Sequence, residues 1–178
     1  INSVAVIGAG TMGAGIAQVC AQAGWHTNLY DAFPEGLERG MNTINEFWDN
    51  GIARGKTTPE QKEEWSANIH TFSDMRNAVK DVDLVIEAVP EIMEIKARIF
   101  HVLSIETKED CILATNTSSL SISDIAQASD RPDKVIGMHF FNPVPIMKLL
   151  EIVRHDSCSE ATIAAAQSIG SAMGKETI

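Results

Sequence analysis

Cysteine is scarce in this 178-residue chain: Cys20, Cys111 and Cys158 stand far apart, each in an apolar or mixed stretch. That spacing excludes a disulfide framework and offers no metal-ligand set. It predicts buried free thiols, as in a protein kept in the reducing cytoplasm. Positive charge is also short, with 14 Lys and Arg against 24 Asp and Glu and a formal net charge of −10. Such a balance argues against nucleic acid and against an anionic membrane as partners. An anionic cofactor must then be held by local geometry rather than by global attraction. No apolar run approaches a membrane span, no signal-peptide pattern is visible, and there is no internal repeat or low-complexity tract. An initiating Met is missing too. The chain opens at Ile1 directly into a strand pattern and closes on Gly174-Lys175-Glu176-Thr177-Ile178, which reads as the lead-in to another strand. A longer native chain continuing past Ile178 is the expectation.

What is present is ordinary in bulk, 44% hydrophobic and 21% charged, enough for one domain with a real core. The informative stretch is Gly8-Ala9-Gly10-Thr11-Met12-Gly13. Before it runs Val4-Ala5-Val6-Ile7, a continuous apolar segment suited to a strand buried on both faces. After it, residues 12–23 have helical character and stop at Gly24. Gly8 permits the tight turn, Gly10 lets a pyrophosphate approach the backbone, and Gly13 lets helix and strand close. The helix N-terminus offers free N–H groups and a positive dipole end to phosphate. A second strand, 27–30, ends at Asp31, 23 residues beyond Gly8, where a carboxylate can accept both hydroxyls of an adenosine ribose. Asp31 repels a 2′-phosphate and no Arg follows it directly, which favours NAD over NADP. A bare glycine pattern is weak evidence; the strand before, the helix after and the acid at this distance make it specific.

Strand and helix patterns alternate beyond Asp31, which predicts an α/β fold of Rossmann type: a mostly parallel sheet with helices on both faces. The stretch from 35 to 66 is longer than a plain crossover needs, and reads as a helical hairpin, 35–53 and 59–66, inserted after the second strand. Its Arg54, Lys56 and Lys62 form a basic cluster that can meet a phosphate, or simply an exposed helical pair. Strands are expected at 68–72, 81–89, 111–115, 134–140 and 148–153, with helices at 91–106, 121–128 and 159–173. In the first of these helices Ile92, Ile95, Ile99, Val102 and Leu103 recur at helical spacing as a core stripe. Several strand ends are polar: Asp31, Glu91, Asn116 to Ser119, and His139 to Asn142. In an open α/β sheet these ends border one crevice.

The last two strands are joined by only Phe141-Asn142-Pro143-Val144-Pro145-Ile146-Met147, too short for a parallel crossover, so they are expected to be antiparallel. His139 and Glu151 lie equidistant from position 145 and are therefore predicted to face each other. Glu151 sits among Leu149, Leu150, Ile152 and Val153, where an unpaired buried charge is costly, and an imidazole is a natural partner. A neutral His backed by a carboxylate can take a hydroxyl proton as a hydride leaves. The same spacing also fits a structural pair at a strand end. Asn116 and Ser118 can hold a substrate oxygen and the nicotinamide side of a cofactor, or serve only the turn, and Asn142 carries the same ambiguity. His26, His70, His101 and His155 lack such a setting and read as surface or strand-end residues.

Four segments together resemble the L-3-hydroxyacyl-CoA dehydrogenase family, most of all its bacterial 3-hydroxybutyryl-CoA branch. They are Gly8-Ala9-Gly10-Thr11-Met12-Gly13-Ala14-Gly15-Ile16-Ala17, Ile86-Glu87-Ala88-Val89-Pro90-Glu91, Thr115-Asn116-Thr117-Ser118-Ser119-Leu120 and His139-Phe140-Phe141-Asn142-Pro143-Val144-Pro145-Ile146-Met147-Lys148. The likeness covers nearly the whole chain. It implies NAD-dependent, reversible oxidation of (3S)-3-hydroxyacyl-CoA, 3-hydroxybutyryl-CoA in particular, to the 3-oxoacyl-CoA. By the same resemblance His139 is the general base and Glu151 its orienting partner. Ser118 bonds the substrate oxygen, with Asn142 nearby. Thr11, Met12 and the three glycines form the phosphate loop, Asp31 binds ribose, and Glu91, Lys96, Asn116 and Ser118 line the NAD site. The hairpin is matched to the CoA surface, with Lys56 only loosely assigned. The family also has a second, all-helical domain that supplies dimer contacts, closes over the acyl-CoA and carries another active-site Asn. On that comparison residues 1–178 are the NAD-binding domain alone, expected to bind NAD but to turn over slowly or not at all. Two other readings stay open: a non-catalytic dinucleotide-binding module, and a dehydrogenase of the same fold acting on a free hydroxy acid or sugar acid.

Overall fold

The computed structural model of the protein describes residues 1–117 and 120–178. Among the described residues eight strands form one sheet: β1 (Ser3–Ile7), β2 (His26–Tyr30), β3 (Ile69–Phe72), β4 (Leu84–Glu87), β5 (Ile112–Thr115), β6 (Val135–Phe140), β7 (Leu149–Val153) and β8 (Glu176–Thr177). Their order is β3-β2-β1-β4-β5-β6-β7-β8. All neighbours are parallel except β6 and β7, which run antiparallel as the short connection requires. The chain builds outward from β1 through β2 to β3, then returns to lay β4 on the other side of β1. That reversal opens a crevice at the carboxyl ends of β1 and β4, where ligands of such sheets bind.

Alternation along β1 explains the two cores. Val4 and Val6 pack on one face with α1 (Thr11–Gln22), α2 (Pro34–Ala53), α3 (Pro59–Ser66) and α7 (Glu160–Ala172). Ala5 and Ile7 face the other side, under α4 (Met75–Val79), α5 (Met93–Glu106) and α6 (Ile122–Ala128). All four are fully buried, so both faces of the strand stabilise the sheet. The helical hairpin after β2 is α2 and α3, with a capping box at Thr58 and Gln61 starting the second helix.

Three points differ from the sequence reading. The stripe read into α5 is buried only in part: Leu103 is in the core and Ile99 packs against it, whereas Ile92 and Ile95 are exposed, and Lys96 and Phe100 complete the buried face. The helix α4, one turn capped by Asp74, was not foreseen; it is too short to show a period. His155 is buried rather than superficial, and its Nε2 bonds the Val135 carbonyl at 2.7 Å. The three thiols are free and buried as expected; burial pushes Cys111 up to about 12.

At the amino ends of the central strands, Asp83 holds the start of the chain. Its Oδ2 accepts from the amides of Asn2 (2.8 Å) and Ser3 (3.2 Å), and its Oδ1 from Lys108 Nζ (2.6 Å). Burial alone raises this carboxyl, but Lys108 and the two amides outweigh it and hold the pKa at about 2. The unfolded value is about 3.9. A depressed acid contributes stability that is complete above the unfolded value and disappears as pH falls through the folded one. Asp83→Asn therefore lowers the urea midpoint at neutral pH and flattens its decline between about pH 4 and pH 2. A midpoint profile parallel to that of the parent protein contradicts this assignment.

Candidate active site

Five strand ends and the helices α1, α2, α4 and α5 line one cleft of about 1310 Å³. That exceeds the roughly 300–1,000 Å³ of a compact small-molecule pocket, as an elongated dinucleotide with a substrate beside it requires. Its floor is the turn from β1 into α1. Gly8 has φ +105°, the left-handed region that favours glycine, and its amide bonds the Tyr30 carbonyl at 2.8 Å. A Cβ on Gly13 would stand 1.7 Å from the Gly8 carbonyl oxygen, so the helix can approach the strand only without one. Gly10 is the opposite case: a Cβ there meets nothing within 4 Å, because the position faces the open cleft. Gly10 also caps α1 without any side-chain hydrogen bond, and the first turn carries no acid. The helix thus presents unoccupied N–H groups and its positive end to the cleft, the arrangement that receives phosphate. Thr11 and Met12 line the same wall.

Asp31 closes the β2 end. Its Oδ2 accepts from the Ala9 amide and its Oδ1 from the Phe33 amide, both at 2.9 Å, which fixes the carboxylate against the glycine turn. Each oxygen keeps a further lone pair for a hydroxyl donor. The helix α2 passes directly over this corner: a Cβ on Gly36 would meet the Asp31 carboxyl at 3.0 Å, and one on Gly40 the Ala9 carbonyl at 2.8 Å. Sequence reasoning passed over both glycines; their one-turn spacing on a helix face was the available signal.

On the other side of the crevice Glu91 and Asn116 line the cleft. Glu91 is held by Lys96 (Nζ to Oε1, 3.1 Å) and by the Thr117 hydroxyl (2.7 Å to Oε2). Asn116 accepts the Phe140 amide at 2.8 Å through its side-chain oxygen, which ties the ends of β5 and β6 together. Lys96 itself does not line the cleft. It is 1% exposed, and its ammonium is engaged by Glu87, Glu91 and the Val89 carbonyl. Lys56 is exposed on the turn between α2 and α3 and is not part of the cleft wall. Ser118 lies outside the described residues.

His139 and Glu151 are register partners across β6 and β7. The His139 Nδ1 lies 2.7 Å from Glu151 Oε1. A carboxylate only accepts, so Nδ1 carries a hydrogen, and in the neutral ring Nε2 then holds the lone pair. Among the described residues nothing bonds Nε2. His139, Phe141 and Asn142 all border the cleft, so the imidazole stands on the wall it shares with the glycine turn. The loop after His139 is anchored from behind by Lys175, which donates to the carbonyls of Val144 and, at 2.6 Å, of Met147. Burial holds that ammonium below the usual lysine range. Its role was invisible in sequence, where Lys175 is one charge in a terminal segment.

The sequence model of the 3-hydroxyacyl-CoA dehydrogenase NAD-binding domain matches residues 3–178. The chain belongs to this family. A probable 3-hydroxybutyryl-CoA dehydrogenase of Bacillus subtilis is 39% identical over 178 residues, all of this chain and 62% of the relative. A probable 3-hydroxyacyl-CoA dehydrogenase of Caenorhabditis elegans is 39% identical over 182 residues, again all of this chain and 61% of that protein. The crystal structure of (S)-3-hydroxybutyryl-CoA dehydrogenase from Ralstonia eutropha superposes with a TM-score of 0.96 at 37% identity, over the full chain and 62% of that structure. The chain thus spans about three fifths of the length of these 3-hydroxyacyl-CoA dehydrogenase relatives. The cofactor of the family's domain is NAD, and the open Gly10 cradle under an uncapped helix end fits its diphosphate. Among the described residues no helix is long and apolar enough to cross a membrane, and no cluster of His, Cys, Asp and Glu could hold a metal ion.

Proposed function

We propose that this chain is the cofactor-binding and proton-accepting part of an enzyme that oxidises (3S)-3-hydroxyacyl-CoA, 3-hydroxybutyryl-CoA foremost, to 3-oxoacyl-CoA. One observation carries the reading: His139 is paired with Glu151 at 2.7 Å on the wall of the cleft that also contains the glycine turn. The turn 8–13 holds the diphosphate, Asp31 the adenosine ribose, and Glu91 and Asn116 the nicotinamide half. NAD, when bound, supplies the hydride acceptor. The chain's own contribution is the proton. His139 Nε2 takes it from the 3-hydroxyl as that oxygen becomes a carbonyl, and the imidazolium formed is stabilised by Glu151. Ser118 holds the reacting oxygen in this reading, with Asn142 nearby in the site, and the hairpin with Lys56 meets the CoA. The residues by which the relatives exceed this chain supply a helical domain that closes the site and forms a homodimer in the cytoplasm.

The test is NADH formation from (3S)-3-hydroxybutyryl-CoA against the free 3-hydroxy acid, for the chain alone and for the chain continued with the C-terminal remainder of the Bacillus subtilis relative. Turnover that requires the CoA ester and rises strongly with the added portion is the expected result. Equal turnover of the free acid, or none in either form, contradicts the proposal.

A further inference from the structure

Behind the nicotinamide wall of the cleft lies an ion cluster that the proposed chemistry leaves unused. Glu87, the last residue of β4, is 0% exposed. Its Oε2 accepts from Lys96 Nζ (2.6 Å) and from the Val89 amide (2.7 Å), and its Oε1 from the Thr115 hydroxyl (2.6 Å). One carboxylate thereby joins β4, β5, α5 and the start of the loop 88–91. Lys96, gripped by Glu87, reaches on to Glu91 (3.1 Å) and to the Val89 carbonyl (3.2 Å).

We infer that Glu87 is a positioning residue for NAD: through Lys96 and the Val89 amide it holds the loop 88–91 and the Glu91 carboxylate in the shape the cofactor requires. The inference rests on the reading that this cleft binds NAD. Two arguments favour it over a purely structural role. A buried ion pair is a poor means of stabilisation, since apolar residues of similar volume commonly do as well or better. The cluster's bonds to the Val89 amide, the Val89 carbonyl and the Glu91 carboxylate also end on residues of the cleft's own wall. The Ala88 carbonyl packs where a Cβ on Gly8 would stand 2.8 Å away, so the loop's path sets the wall opposite the phosphate turn. Glu91, gripped by Lys96 and Thr117, lines the cleft directly. Without Glu87, the ammonium loses its nearest counter-charge and the Val89 amide its acceptor, and the loop is free to take other paths.

The experiment compares the dissociation constant of NAD and the melting temperature for the parent chain, Glu87→Gln, and the double variant Glu87→Gln with Lys96→Met. The double variant removes the ion pair while filling its volume, so a structural role predicts recovery of both readouts. A positioning role predicts recovered melting temperature with NAD binding still weakened about tenfold. Parental NAD affinity in the double variant overturns the inference, whatever its melting temperature. Should the double variant fail to fold, Thr115→Val decides, because it deletes only the hydroxyl that donates to Glu87 Oε1. NAD affinity about threefold weaker supports the inference, and parental affinity overturns it. Absence of NAD binding by the parent chain removes the cofactor site and this inference together, whereas parental affinity in the variants removes only the inference.

Discussion

His139→Gln lowers kcat for NADH formation from (3S)-3-hydroxybutyryl-CoA by about a thousandfold, while the NAD dissociation constant moves less than about twofold. Glutamine fills most of the imidazole volume and can still bond Glu151, but it has no lone-pair nitrogen that accepts a proton at neutral pH. The loss is therefore confined to the proton-accepting step. Glu151→Gln has a smaller effect, about ten- to a hundredfold. The carboxylate orients the ring and stabilises its charged form but receives no proton from the substrate. With the amide in place, the side chain can present its nitrogen to Nδ1 and favour the tautomer whose Nε2 carries the hydrogen, which removes the acceptor from the cleft. Steady-state rates with saturating NAD, measured in the chain continued with the C-terminal remainder of the Bacillus subtilis relative, check both. Unchanged turnover in His139→Gln assigns the base to another residue.

Two glycines three residues apart, Gly10 and Gly13, separate binding from folding. Gly13→Ala costs about 3 kcal/mol or more, because a Cβ at 1.7 Å from the Gly8 carbonyl forces backbone apart. For a domain of this size that is a fall of about 6–12 °C in melting temperature. Gly10→Val costs less than about 1 kcal/mol, since its Cβ meets nothing within 4 Å and the position faces the open cleft. It instead fills the space through which a diphosphate reaches the helix end, and NAD binding weakens about a hundredfold, or about 2.7 kcal/mol. Thermal melts with and without NAD separate the two effects. Gly13→Ala melts early in both conditions, and Gly10→Val melts near the parent temperature but gains nothing from NAD. If Gly10→Val retains full NAD affinity, the diphosphate lies elsewhere.

Legibility followed the range of the interaction. The glycine turn, its flanking strand and helix, and Asp31 were readable because they lie within one βαβ unit whose geometry is local. The His139–Glu151 pair was readable because a short connection makes the sheet register a matter of counting. Lys96 was placed at the NAD site by resemblance, yet it lies buried behind the lining residues Val89 and Glu91, where Glu87 offers a fully buried carboxylate nine residues earlier in the chain. A lysine in a helix reads as a solvent residue unless the acid beneath it is known to be buried. Lys175 donates to a carbonyl 31 residues away, and no local pattern marks such a contact.

By itself the chain's order of residues determined the α/β sheet with its one antiparallel pair, the glycine turn, and the facing of His139 and Glu151, all of them set by short-range periodicity and turn length. Only the tertiary structure decided which polar groups are removed from water, and so which charges pair. It buried Glu87 against Lys96, laid Gly36 and Gly40 over the cofactor corner, and tied the His139 loop to Lys175. Burial is a property of the packed layers, and no segment carries it alone.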